Sequence, residues 1–320
     1  MKILVTGGAG YIGSATVHAL VEAGYDVVVF DNLSAGQKDK VHKDAELIVG
    51  DMLQEEELAR AFGARPHFDA VIHFAALKAV GESEEDPGSY FQNNVSGTIN
   101  ILRAMEQYKV PHIVFSSSAS VYAPALKGHS GIFIESDPLG PISVYGQTKY
   151  ISELIIKDFA RTGKIQSYAL LRYFNVAGDA GLNFKEKAPQ NVFPLIAKAI
   201  AGEAEFGIFG TDYDTKDGTG VRDYIHLIDL VDAHIKALNI TQEQSGAFNL
   251  GTSNGFSVKE LVESFEKLSG KAVGAKEQPR RAGDPAVVLA DPSKARRELS
   301  WNATKTLDEM VISTLRVYGE

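Results

Sequence analysis

The chain contains no cysteine. That excludes disulfides, thiolate–zinc centres and a cysteine nucleophile. Long apolar runs are missing too: none approaches the ~18 residues of a membrane-spanning helix. Positive charge is in short supply, with 32 Lys and Arg against 41 Asp and Glu and a net charge of −9. Nucleic acid is a poor partner for such a surface, because phosphate neutralisation requires clustered cations. A small phosphorylated ligand stays open, since a few local cations can hold one. No His/carboxylate cluster has metal-ligand spacing. Asp212, Asp214 and Asp217 come nearest to a calcium loop, but the third acid falls one place late and Lys216 intrudes, so no metal is expected. Met1-Lys-Ile-Leu-Val5 runs straight into glycines and lacks the order of a secretory signal, so a cytoplasmic location is expected.

What is present is the composition of a globular protein, 44% hydrophobic and 320 residues long, enough for one large domain or two. Residues 1–120 alternate short apolar runs with helical patterns. Ile3–Val5, Val27–Phe30, Leu47–Val49, Val71–Phe74 and Ile113–Phe115 read as buried strands, which implies parallel βαβ units in a doubly wound, Rossmann-like α/β sheet. After about residue 175 the texture changes. Helical patterns over Val192–Ala201, Asp229–Leu238, Val258–Leu268 and Leu307–Val317 suggest a smaller C-terminal α/β substrate-binding domain over 176–320. Residues 1–175 form the cofactor domain, with about 222–245 expected to return to it.

Thr6-Gly-Gly-Ala-Gly-Tyr-Ile-Gly13 follows the first strand and opens the first helix. Gly7, Gly10 and Gly13 (or Gly8, Gly10 and Gly13) match dinucleotide-binding glycine spacings, letting backbone N–H groups approach a pyrophosphate at a helix N-terminus. A glycine turn without a ligand is the plain alternative. Against it stands Asp31, 18 residues after Gly13 at the end of the second strand. A carboxylate there accepts from ribose hydroxyls and repels a 2′-phosphate, so NAD is expected rather than NADP. Asp51 and Met52 would flank the adenine. Phe74-Ala75-Ala76 would let backbone touch the cofactor, and Lys78 brings a cation within reach.

The fifth strand runs into Ser116, Ser117 and Ser118, and then comes Ser143-Val-Tyr-Gly-Gln-Thr-Lys149. Tyr145 and Lys149, spaced i, i+4, share one helical face. A solvated face is the ordinary reading of such a pair. Downstream of a dinucleotide loop it reads as a general base tuned by an ammonium group. Bringing a phenol from ~10 to ~7 takes about 4 kcal/mol, part of which a nicotinamide charge can supply. His73, in an apolar strand, reads as a satisfied core histidine, and His226 is given no catalytic role.

Together with "TGGAGYIGS", "FDNLS", "VIHFAALKAVGES", "NNVSGT", "LLRYFNVAG", "DGTGVRDYIHLIDL" and "PRRAGDPA", these residues resemble the extended short-chain dehydrogenase/reductase superfamily. Within it they resemble the UDP-glucose 4-epimerase family, over nearly the whole chain. The resemblance implies NAD-dependent interconversion of UDP-glucose and UDP-galactose through a 4-keto sugar, by a homodimer. Ser118 would be the catalytic serine beside Tyr145 and Lys149. Tyr11, Ile12, Asn32, Ser34, Asn93, Ser116, Tyr173 and Phe174 would join the cofactor contacts. The substrate would meet Lys78, Ser118, Tyr145, Phe174, Asn175, Asn191, Val192, Gly207, Ile208, Phe209, Arg222, Arg281, Asp284 and Val288. Two arginines suit a diphosphate through bidentate hydrogen bonds.

Two departures stand out. Ala123 follows Tyr122 where the family usually has glycine, and the 123–134 loop is slightly longer. Val288 occupies a position that is bulky and aromatic in some members and small in others, so UDP-N-acetylglucosamine and UDP-N-acetylgalactosamine are expected as further substrates. A 4,6-dehydratase or decarboxylase on the same scaffold is the alternative. Dehydratases typically carry Thr-Asp-Glu where this chain has Ser118-Ala-Ser120, and water elimination is hard without those acids. A non-catalytic dinucleotide sensor would have no need of the Tyr145–Lys149 pair.

Overall fold

The computed structural model describes residues 1–124, 129–281 and 284–319. Seven strands form one sheet: β1 (Lys2–Thr6), β2 (Asp26–Asp31), β3 (Glu46–Val49), β4 (Ala70–His73), β5 (His112–Ser116), β6 (Ser167–Tyr173) and β7 (Gly246–Leu250). Their spatial order is β7-β6-β5-β4-β1-β2-β3. Every pairing is parallel.

The continuous apolar runs follow from this arrangement, because alternate side chains feed two cores. Ile3, Val5, Val27, Val29 and Ile72 enter one, shared with helices Tyr11–Glu22 and Leu227–Lys236. Leu4, Val28, Phe30, Val71 and Ile113 enter the other, against helices Glu55–Phe62 and Gly97–Tyr108. β3, the outermost strand, is only half-covered, unlike the fully buried strand that Leu47-Ile-Val49 suggested. Strands β6 and β7 escaped the periodicity reading. β6 carries a charge, Arg172, one residue from its end, and β7 lies beyond the expected 222–245 return.

β1 is flanked by β2 on one side and β4 on the other. The chain winds outward to β3 and then crosses back to β4, which opens a crevice above the carboxyl end of β1, where open α/β sheets bind ligands.

The remaining strands are short and gather from distant segments. Val221–His226 pairs with Asn175–Ala177, Gly255–Ser257 and Val287–Ala290, and the last of these pairs with Ile132–Phe133. Gly207–Phe209 pairs with Lys276–Gln278. Helices Val192–Ile200, Val258–Ser269 and Leu307–Tyr318 close a third core around Phe193, Tyr224 and Phe265. The last two helices each begin with a reciprocal capping box, Ser257 with Glu260 and Thr306 with Glu309, which satisfies otherwise orphaned N–H groups. Among the described residues, no helix is long and apolar enough to cross a membrane.

Candidate functional site

A cleft of about 410 Å³ lies above β1, with the glycine loop on its floor and Tyr145, Lys149 and Tyr173 at one end. The three glycines do different work. Gly7 has φ +72°, and a Cβ there would lie 2.5 Å from the Ala75 nitrogen. Gly13 packs so closely that a Cβ would lie 2.1 Å from the Gly7 oxygen. Gly10 is different: apart from the Gly7 oxygen at 3.3 Å, nothing would meet its Cβ. Its bare backbone lines the cleft.

Asp31 is held in place by the N–H groups of Ala9 (3.0 Å) and Leu33 (2.8 Å), which its carboxylate accepts. Burial raises its pKa, and those two bonds oppose the rise. Its remaining lone pairs are available to ribose hydroxyls. Ile12, Asn32, Ser34, Met52, Phe74, Ala75, Ala76, Lys78, Asn93 and Ser116 line the same cleft, as does Tyr11. Asp51 turns its carboxylate to the Leu53 N–H at 2.9 Å. Phe174 packs instead with Val121, Tyr122, Phe133 and Ala290, on the side of the second domain. A floor without side chains and an acid at the end of β2 fit a dinucleotide.

Ser143 caps the helix Val144–Arg161 by accepting from the Gly146 N–H. The cap places Tyr145 in the first turn and Lys149 one turn on, both buried. Lys149 Nζ donates to the Ser116 carbonyl at 2.7 Å and lies 6.0 Å from the Tyr145 ring centroid. Ser118 begins a short 3₁₀ turn, and its hydroxyl accepts from the Ser120 N–H at 3.1 Å.

The electrostatics of the chain alone do not include the nicotinamide charge expected to supply part of the phenol's acidity. Burial, followed by Tyr173, pushes the Tyr145 phenol up, and the Ser118 hydroxyl acts against them. Burial also takes Lys149 down to about 7, with Glu153 opposing it. In the chain alone, burial thus works against the phenolate form of Tyr145. His73 is fully buried between the hydroxyls of Thr6 (2.6 Å) and Thr98 (3.1 Å), and burial holds it at about 3. That is a satisfied core histidine.

Beneath the pair lies a buried network that the sequence reading missed. Glu153 continues the Tyr145–Lys149 stripe by one more turn and is completely buried. It accepts from Ser117 Oγ at 2.7 Å and from Arg172 through both oxygens, at 2.8 and 2.6 Å. Arg172 also reaches the Tyr122 hydroxyl at 3.2 Å, which donates to Asn249 at 2.6 Å. Next along β6, the Tyr173 hydroxyl pairs with Ser116 Oγ at 2.6 Å. The i+4 step to Glu153 and the charge inside β6 were the available signals.

A strap crosses the cleft, and nothing in the local sequence announced it. Gln37, in the loop after β2, donates to the Lys185 carbonyl at 2.8 Å. Lys78, after β4, pairs with Glu186. Because β2 and β4 flank β1 on opposite sides, residues 185 and 186 span the crevice. Asp179 holds the base of this segment by accepting from the N–H groups of Gly181, Asn183 and Phe184.

The residues expected at the nucleotide sugar divide into two groups. Arg222 is paired with Asp284 and stands in register with Val288. Arg281 stacks on Phe209, 4.0 Å from the ring centroid, in the segment that also holds Gly207 and Ile208. Asn175 donates to the Asp223 carbonyl at 3.0 Å, while Asn191 and Val192 open the helix that follows the strap. Residues 125–128 of the 123–134 loop lie outside the described residues. Its strand Ile132–Phe133 is in register with Leu289 and Ala290, directly after Val288.

The NAD dependent epimerase/dehydratase family matches residues 3–251, and the chain belongs to it. The UDP-glucose 4-epimerase of Bacillus subtilis is 46% identical, covering 99% of this chain and 96% of its own. The UDP-glucose 4-epimerase from Brucella ovis, solved in complex with NAD, superposes with a TM-score of 0.94 at 38% identity, covering 99% and 98%. The UDP-Glc/GlcNAc 4-epimerase from Campylobacter jejuni gives 0.87 at 35%, with the same coverage. The cofactor of this family is NAD.

Proposed function

We propose that the chain interconverts UDP-glucose and UDP-galactose by inverting C4 through a 4-keto sugar. The observation that carries this reading is the single cleft that joins the glycine loop and Asp31 to Tyr145 and Lys149. We assign cofactor binding to residues 1–175 with the returning β7 region, and the nucleotide sugar to the rest of 176–320. In this reading Gly7, Gly10, Gly13, Asp31 and Lys149 hold NAD. When bound, NAD would supply the reversible two-electron chemistry and part of the positive charge that favours the phenolate.

Tyr145 then takes the proton of the 4-hydroxyl and gives it back after the sugar has presented its other face. Ser118 hydrogen-bonds the reacting oxygen. Lys149, fixed on the Ser116 carbonyl, keeps the phenol oriented. The charged Arg222 and Arg281 hold the diphosphate while the sugar turns. Ala119 and Ser120 give no acid beside Ser118, which disfavours a dehydratase, and a sensor would not require a buried phenol–amine pair. Position 288, bulky and aromatic in some members of the family and small in others, is valine here, so N-acetylated UDP-sugars are also substrates. Leu154 is 42% exposed on the Tyr145 helix, which suits a homodimer packed through helices.

The test is to add UDP-galactose to purified protein with no cofactor and look for UDP-glucose. Product formation and co-purifying NAD are expected. No turnover even with added NAD defeats the reading. Inertness toward UDP-N-acetylglucosamine at millimolar concentration, with UDP-galactose active, defeats the N-acetyl extension alone.

A further inference from the structure

Resting on that reading, we infer that Tyr213 is an additional binding residue for the nucleotide's diphosphate, donating its phenolic hydroxyl to a phosphate oxygen. Tyr213 is only 5% exposed, and its hydroxyl is buried without a hydrogen-bond partner among the described residues. A buried phenol normally finds a partner, and leaving it without one costs free energy. An orphan of this kind therefore marks a place where a ligand atom completes the bond.

The surroundings say what sort of atom that is. The charges of Asp284, Arg222, Arg280 and Asp212 all act on the phenol, and burial with Asp284 raises its pKa. Tyr213 is thus a donor at neutral pH. Arg222 and Asp284 are two of the residues already assigned to the nucleotide. Arg222 and Arg280 are balanced by their partners Asp284 and Asp212, so the choice of a phosphate oxygen follows from the place of Arg222 and Asp284 in the proposed nucleotide site, beside which the hydroxyl supplies a neutral hydrogen bond.

The ring is built to stay where it is. Arg280 stacks on it 4.0 Å from the centroid and also bonds to Asp212. Its neighbour Arg281 stacks in the same way on Phe209. Tandem arginines thus use two aromatic rings, one under each guanidinium. Behind the ring, the Tyr213 N–H donates to the Gly218 carbonyl at 2.9 Å, which closes the 213–218 turn.

The test uses the full-length protein, with UDP and uridine as probes. Tyr213→Phe keeps the ring and its stacking and removes only the oxygen. It is expected to weaken UDP binding about tenfold and to raise KM for UDP-galactose similarly, with kcat within twofold and uridine binding unchanged. UDP binding within twofold of wild type, or an equal loss for uridine, overturns the assignment. 3-Fluorotyrosine incorporated at position 213 gives a readout that deletes nothing. Its ¹⁹F resonance should move with UDP and not with uridine, and a resonance indifferent to UDP overturns the inference. Wild-type protein that binds no UDP defeats the nucleotide-sugar reading as well. Wild type that binds UDP while Tyr213→Phe binds it equally defeats this inference alone.

Discussion

Along the cofactor cleft, successive strands β1, β2, β4 and β5 each deliver a loop to the same edge of one sheet. The nucleotide-sugar side is assembled from short strands whose partners lie far apart, such as Val221–His226 with Val287–Ala290. The first region fixes its chemistry with buried contacts: Lys149 on Ser116, and Glu153 on Ser117 and Arg172. The second holds its cations nearer solvent, in Arg222–Asp284 and in arginines stacked on rings. In the proposed reading the more buried half carries the proton transfer and the more exposed half holds the nucleotide. This division suits a reaction in which the sugar must turn over while its nucleotide stays put.

The sharpest way to break that comparison is Tyr145→Phe. The buried base should cost about a thousandfold in kcat when its oxygen is removed, with NAD content unchanged. A variant within threefold of wild type would take Tyr145 out of the role. Next comes Glu153→Ala, which strands a buried guanidinium and should destabilise the protein by about 3–5 kcal/mol in urea unfolding. In the wetter half, Lys276→Ala removes an exposed pair with Glu205 and should cost at most about 1 kcal/mol. Similar losses for the two variants would erase the contrast.

Lys149 gives a pH signature. Its folded pKa of about 7 lies below the unfolded value of about 10.4, so between these values the unfolded chain binds more protons. Stability from this group therefore rises with pH across that window and is lost as the pH falls toward 7. Lys149→Met should flatten the dependence, as read from unfolding free energies at pH 7, 8.5 and 10. The smallest effect concerns the strap. Glu186→Gln should speed NAD loss several-fold in dialysis while leaving kcat at saturating NAD within twofold. Retention equal to wild type would show that the Lys78–Glu186 pair does not hold the cleft shut.

Much of the cofactor side could be read directly. The glycine loop, Asp31 and the strand-end serines sit where a strand meets a turn, and that junction is visible in a dozen consecutive residues. The sugar side could be read only through resemblance, because nothing local to Arg222 points to Asp284, 62 residues away. For Tyr145 the spacing showed position but not energetics. An i+4 spacing shows that two side chains share a face, but not how deeply both are buried. Desolvation here outweighs the neighbouring charge.

The amino-acid pattern alone determined the alternating parallel architecture, the preference for an unphosphorylated ribose and the alignment of phenol and amine on one helical face. Those features depend on residues within a strand–turn–helix of each other, where backbone geometry does the arranging. Tertiary structure alone decided that Glu186 meets Lys78 over the crevice, that Arg172 lies beneath the helix of Tyr145 and Lys149 and that the Tyr213 hydroxyl has no partner among the described residues. Each depends on segments brought together by packing, and no local spacing records which distant side chain will supply the other half of a contact.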